Sequence, residues 1–228
     1  MTHYVLPAPV VVTVPVEGTD AVFPVRRILC VGRNYAAHRA EMGGDDREPP
    51  FFFSKPADAI VAPPHHAAAY PTVTKNLHHE IELVVAIGAP GSDVSVDEAL
   101  ELVWGYAVGV DLTRRDLQNA AKDKGYPWDS SKGFDASAPI GVIRPVALSG
   151  HPTGRIQLAV NGVTKQDSVL TNMIWSVAEV IAEASKLWRL EAGDLIYTGT
   201  PEGVGPLVRG DHVTGSVEGV GEVDFKVI

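Results

Sequence analysis

Cysteine is nearly missing from this chain of 228 residues: Cys30 stands alone, which excludes an intrachain disulfide and a cysteine-based metal cluster. No stretch reaches the roughly 20 apolar residues that a membrane-spanning helix needs. The apolar start, Met1 to Pro15, is interrupted by Pro7, Pro9 and Pro15 and lacks the basic residues and cleavage site of a secretory signal, so a cytoplasmic protein is expected. Positive charge is also in deficit. A net charge of −9 argues against a nucleic-acid partner, because phosphate binding needs a basic surface. An anionic small molecule remains compatible if a metal and a few cations make one pocket locally positive. Internal repeats and low-complexity tracts are absent, and the Gly-rich loop Gly199 to Gly205 lacks the Gly-Lys-Ser/Thr ending of a nucleotide P-loop.

What is present is ordinary globular composition, 45% hydrophobic and 21% charged, enough for one sizeable domain. Residues 1–26, rich in Pro and Val, read as an extended arm or edge strands, and residues 27–228 as the main domain. Buried strands are expected at Arg26 to Val31, Ile81 to Ile87, Tyr106 to Val110 and Leu195 to Thr198, with short strands at Phe51 to Phe53 and Ala59 to Ala62. Asn161-Gly162 between two apolar runs signals a tight hairpin. Ser95 with Glu98 forms a capping box for a helix to about Val103. Further helices are expected from Asn34 through Met42, from Leu112 to Lys122, and from Asn172 with Ile174, Val177, Ile181 and Leu187 on one stripe. Many short strands and few helices favour a β-rich α+β fold.

The chemistry concentrates in acidic residues. In His78-His79-Glu80-Ile81-Glu82, strand alternation puts Glu80 and Glu82 on one face, where two like charges beside an apolar run call for a cation. A solvated strand start explains the same pair without function. Asp111 ends a buried strand, and a helix N-cap is the alternative reading there. Arg115, Gln118 and Lys122 follow it at offsets of four, seven and eleven, which makes one polar stripe on a helix. Three carboxylates suit a hard cation, Mg²⁺ or Mn²⁺. A Zn²⁺ or Fe²⁺ site using His78 is the competing option and matches less well, because such sites are richer in histidine. His38 and Glu41, three apart on the expected helix, can place a carboxylate beside an imidazole, the arrangement of a general base. A third region, Lys122 to Pro139, holds Lys132 among aromatics and turn residues.

These residues carry a family resemblance. Gly32-Arg33-Asn34-Tyr35 with His38 and Glu41, Phe53-Ser54-Lys55-Pro56, His79-Glu80-Ile81-Glu82 and Gly109-Val110-Asp111 resemble the fumarylacetoacetate hydrolase family. Arg115-Asp116-Leu117-Gln118, Lys132-Gly133-Phe134-Asp135 and Thr198 to Gly205 complete the match. The short arm is most similar to that of the family's bacterial fumarylpyruvate-cleaving branch. The resemblance implies a mixed β-roll, a homodimer, and Mg²⁺ or Mn²⁺ on Glu80, Glu82 and Asp111. It implies a His38–Glu41 dyad, substrate-binding and oxyanion-stabilising roles for Arg115, Gln118 and Lys132, and a carboxylate-holding loop at Thr200. The implied reaction is hydrolytic carbon–carbon cleavage of a 2,4-dioxo acid, an acylpyruvate, with oxaloacetate decarboxylation or tautomerisation as the rival on the same metal. Arg33, Arg39 and Lys55 are the candidate cations for a distal substrate carboxylate.

Overall fold

The computed structural model describes residues 3–35 and 48–228. A six-stranded mixed sheet runs in the order Arg144–Pro145, Val103–Val110, Ile81–Ile87, Asp194–Tyr197, Arg27–Gly32, Phe51–Lys55. Its one parallel pair joins Asp194–Tyr197 to Arg27–Gly32, and its central strand Ile81–Ile87 is buried along its whole length, as its unbroken apolar run predicts. A five-stranded sheet runs Val163–Val169, Arg155–Val160, His212–Val217, Gly221–Val227, Ala67–Ala68. Together these give the expected β-rich mixed architecture.

Alternation assigns each face of the central strand to its own core. Ile81, Leu83, Val85 and Ile87 meet Ile156, Leu158, Val213 and Phe225 of the five-stranded sheet. Val84 and Ala86 meet Ile28, Cys30, Ala107 and Tyr197, and also Val14, Val16, Phe23 and Val25 from the segment read as an arm. Val14 and Phe23 lie in the hairpin Thr13–Pro15 and Val22–Pro24, and Val16 and Val25 directly follow its two strands. No helix among the described residues is long and apolar enough to cross a membrane.

Local signals hold where the backbone itself carries them. Asn161 and Gly162 both have positive φ, 51° and 77°, as the tight hairpin requires. The Ser95–Glu98 capping box forms, but its helix is only Val96–Ala99 followed by a 3₁₀ turn, and a strand begins at Val103. Two helix expectations need correction. The helix expected from Leu112 starts at Arg115, because Thr113–Arg114 pair with Leu77–His79 first. The helix expected from Asn172 is Val177–Leu187, started by a second capping box, Ser176 with Glu179. Leu187 on it is 60% exposed, so it lies off the buried stripe. The helix expected from Asn34 through Met42 falls on residues 36–42, outside the described residues, while the Asn34 amide donates to Thr198 O at 2.8 Å and Trp175 O at 2.9 Å.

Gly141 shows how closely the two large sheets approach. Its N–H bonds Val108 O at 2.8 Å on one sheet, and an added Cβ would lie 2.0 Å from Glu222 O on the other. Backbone cannot step aside as a side-chain tip does. Gly141→Ala should therefore destabilise the protein by about 1–3 kcal/mol, the usual cost of overpacking. Urea unfolding checks this, and an unchanged midpoint would refute the steric argument.

Candidate metal centre and adjoining pocket

The three carboxylates meet because of strand register. Ile81 pairs with Val110 and Glu82 with Gly109, and the Asp111 N–H donates to Glu80 O at 2.8 Å. Glu80 and Asp111 are therefore opposite one another, on the same face as Glu82 two residues along. One oxygen from each lies within 4.8 Å of the others, and the residues are 5%, 1% and 0% exposed. Asp111 is no helix N-cap, since Arg114 holds that position. Glu80 is also where the chain leaves a three-stranded sheet, in which Leu77–His79 lies between Thr113–Arg114 and Gly205–Leu207. That crossing brings the Gly-rich loop beside the acids.

Buried negative charge at this density needs compensation. Lys132 Nζ donates to Glu80 Oε2 at 2.7 Å, Asp111 Oδ2 at 2.5 Å and Thr113 Oγ1 at 2.6 Å, so all three of its hydrogens are committed. Arg115 pairs with Glu80 through Nη2 and donates from Nη1 to Gln118 Oε1. Lys55, fully enclosed, sits 2.7 Å from Asp111 Oδ1 and donates to the carbonyls of Leu112 and Lys132. The Lys55–Asp111 contact is a charge contact only, because Asp111 Oδ1 receives no directed hydrogen bond. Glu82 differs. It receives one N–H, from Gly199 at 2.7 Å, and forms no ion pair among the described residues. Burial first, then the charges of Asp111 and Glu80, push its carboxyl well above the usual range.

The donor set passes the test for a hard divalent cation. It offers oxygens only, from three buried carboxylates, and one of them lacks a cation partner among the described residues. The histidine-containing alternative fails. His78 Nδ1 accepts from Arg115 Nε at 3.4 Å and its Nε2 faces Asn76 Oδ1 at 2.9 Å. Burial and then the Arg115 charge lower its pKa to about 4, so the ring is neutral and already engaged.

Beside the acids lies a small pocket lined by Glu80, Glu82, Arg33, Arg115, Gln118, Trp128, Lys132 and Thr200 among others. Arg115 and Gln118 are the expected helical stripe, and with the Gln118 carbonyl engaged by Arg115 its NH₂ is left as a donor. Lys122 sits 5.3 Å from the Trp128 ring, its pKa lowered to about 8 by partial burial and then by the charges of Arg115 and Arg33. Arg33 holds a left-handed backbone, φ 59°, uncommon for a residue with a side chain, and its Nε has no hydrogen-bond partner among the described residues. Lys55 as a distal-carboxylate cation is overturned, because it is enclosed and bound to Asp111. His38, Glu41 and Arg39 lie outside the described residues.

Sequence reasoning missed three supports. Lys55 as an internal counter-ion, Thr113 as a partner of Lys132, and Gln166 beneath the Gly-rich loop all act across long separations. Buried Gln166 accepts from Ile81 N, 85 positions away, and no local pattern announces such a contact.

Comparisons with known proteins agree with this geometry. A family model for the fumarylacetoacetate (FAA) hydrolase C-terminal region matches residues 27–228. The chain is 48% identical over 180 residues to a fumarylpyruvate hydrolase of a Ralstonia species, covering 79% of this chain and 93% of that one. It is 40% identical over 205 residues to an oxaloacetate tautomerase of Escherichia coli (strain K12), covering 89% and 93%. The crystal structure of a fumarylpyruvate hydrolase from Pseudomonas aeruginosa in complex with Mn²⁺ and pyruvate superposes with a TM-score of 0.95 at 49% identity, covering 99% of each chain.

Burial and neighbouring charge favour the protonated form of Glu82, whereas a bound cation favours the ionised form, so proton and cation compete there. Mn²⁺ affinity should therefore rise with pH above the ordinary carboxylate range, with proton release on binding. Calorimetry in two buffers of different protonation enthalpy measures that release. Glu82→Gln, which carries no such proton, should bind Mn²⁺ at least tenfold more weakly and lose the pH dependence. Unchanged affinity in that variant would remove Glu82 from the ligand set.

Proposed function

We propose, from the premise that the chain belongs to the fumarylacetoacetate hydrolase family, that it is a metal-dependent hydrolase cleaving a carbon–carbon bond in acylpyruvates, with fumarylpyruvate as the preferred substrate. The observation that carries this reading is the buried Glu80–Glu82–Asp111 cluster opening onto a pocket of donors, Arg115, Gln118, Lys132 and Thr200. When bound at these acids, Mg²⁺ or Mn²⁺ supplies Lewis acidity and an electron sink for a 2-oxo acid.

Each residue then has a task. Thr200 and its loop take the 1-carboxylate. His38, oriented by Glu41, removes a proton from water, and the resulting hydroxide adds to the C4 ketone. The Gln118 NH₂ and Lys132 stabilise the oxygen on which charge develops, Lys132 by releasing one hydrogen from its present carboxylate or hydroxyl partners. The C3–C4 bond then breaks, its electron pair leaves on C3 as pyruvate enolate, and protonation of that carbon gives pyruvate beside fumarate. Arg115 holds Glu80 and Gln118 in place.

Arg33 is the cation for the distal carboxylate. It lines the same cavity, and Lys55 is excluded by its ion pair with Asp111. A homodimer is part of the proposal. The exposed apolar residues Tyr4, Val5, Leu6 and Val10 before the hairpin support it, and sedimentation tests it. So is a cytoplasmic location.

The Escherichia coli relative favours one second reading, tautomerisation of oxaloacetate, which needs the electron sink but no attacking water. Ranking kcat/KM for fumarylpyruvate, acetylpyruvate, fumarylacetoacetate and oxaloacetate with Mg²⁺ decides between them. Oxaloacetate ranking first would replace the hydrolase reading.

Two variants refine it. His38→Ala should slow hydrolysis at least 10²-fold, the lower end of a general-base contribution, with Mn²⁺ affinity intact. Near-normal turnover would remove the dyad. Arg33→Met should raise KM for fumarylpyruvate roughly 10- to 100-fold, the range for a lost hydrogen bond to a charged group, while acetylpyruvate, without a distal carboxylate, changes little. Equal effects on both substrates would place Arg33 elsewhere.

A further inference from the structure

Behind the Gly-rich loop lies the strand Val163–Val169, which belongs to the other sheet. The loop is pressed against it: Gly203, φ 87°, is so near that an added Cβ would meet Lys165 O at 2.2 Å. From that strand Gln166, 0% exposed, reaches into the junction. Its amide touches four groups. Oε1 lies 3.1 Å from Ile81 N and 2.9 Å from His79 Nδ1, and Nε2 lies 2.8 Å from Thr200 Oγ1 and 2.9 Å from Pro201 O.

Two of those partners are one-way groups, and they settle the amide's orientation. A backbone N–H only donates, so the atom facing Ile81 is the carbonyl oxygen. A backbone carbonyl only accepts, so the atom facing Pro201 is the NH₂. Two consequences follow. His79 must carry its hydrogen on Nδ1, since it faces an acceptor. The Thr200 hydroxyl must accept from Gln166, since it faces a donor. Gln166 is the one hydrogen-bond partner of Thr200 Oγ1 among the described residues, so the hydroxyl's own hydrogen is left for the cavity that Thr200 lines.

We infer that Gln166 is a positioning residue for substrate binding: its NH₂ occupies one lone pair of the Thr200 hydroxyl, so that the hydroxyl's hydrogen is left to donate to the substrate carboxylate. The inference rests on the reading that Thr200 takes the 1-carboxylate. A hydroxyl free to rotate offers an anion either its hydrogen or its lone pairs. With one lone pair held from behind by a donor, its hydrogen cannot turn back to Gln166 and is available to an anion on the cavity side. The polarity of the site is thus set from a sheet that contributes no residue to the metal centre.

The test is calorimetric binding of pyruvate to the Mn²⁺-loaded protein at pH 8, in wild type, Gln166→Met, Gln166→Glu, Thr200→Val and the Gln166→Met/Thr200→Val double variant. Gln166→Met also removes the acceptor for Ile81 N–H, so Tm and Mn²⁺ affinity are measured on every variant. Gln166→Glu keeps that acceptor but turns the atom facing Thr200 and Pro201 into an acceptor and adds a buried charge, so it is read together with Gln166→Met and only where Tm is retained. Weakening of pyruvate binding by about tenfold in each single variant, with Mn²⁺ affinity unchanged and the double variant no weaker than Thr200→Val, supports the inference. Wild-type binding in both Gln166 variants, or effects that multiply in the double variant, overturns it while leaving Thr200 in its role. Wild-type binding in Thr200→Val overturns both together.

Discussion

One backbone hydrogen bond, from the Asp111 N–H to the Glu80 carbonyl, governs the rest of the site. It extends the Ile81–Val110 register by one pair and so sets two acids opposite each other at the end of the central strands. Side chains alternate along a strand, so slipping this pairing by one residue would turn Asp111 to the other face. Such a slip is blocked on both sides, because each face of Ile81–Ile87 is committed to a separate core. Apolar packing over the length of the strand therefore pays for like-charge crowding at its end.

The surrounding cations follow from that crowding. Lys55, Lys132 and Arg115 arrive from an edge strand, a one-turn helix and the helix Arg115–Lys124, and each meets a carboxylate oxygen. Glu80 and Asp111 each meet two of them, so leaving one out would strip a buried carboxylate of half its counter-charge, a larger penalty than the pair's net gain. The Gly-rich loop is tied to the same point, through Gly199 to Glu82, Thr198 to Leu83 O, and Asn34 to Thr198 O. Metal site, donor pocket and loop thus share one junction of sheets.

Much of this was legible where chemistry and spacing coincide. Glu80 and Glu82 share a face by alternation alone, and Asn161-Gly162 and Ser95–Glu98 declare a hairpin and a cap. Asp111 needed the register, which residues 80 and 111 do not reveal by themselves. The Ser176–Glu179 box carries the same signal as Ser95–Glu98, but the apolar stripe starting earlier drew the expected helix start to Asn172. Lys55 looked like a free cation because its partners, Leu112 O and Asp111, lie more than fifty positions away. Gln166 sits in a polar stretch of a hairpin, and only the folded sheet shows what its amide faces. Long-range polar contacts were the illegible class, while local periodicity was readable.

Lys132 carries one further consequence. Its ammonium bridges Glu80 and Asp111, with Lys55 on the far oxygen of Asp111 and Arg115 on Glu80. Burial and the charges of Asp111 and Glu80 raise the pKa of Glu82. The three acids therefore face three cations of the same chain, so their charge is compensated from within it. An entering ion would meet carboxylates whose charge is already shared with Lys55, Lys132 and Arg115, so those cations would have to shift or share oxygens with it. The cations that hold the acids in place are thus also the competitors any metal must face.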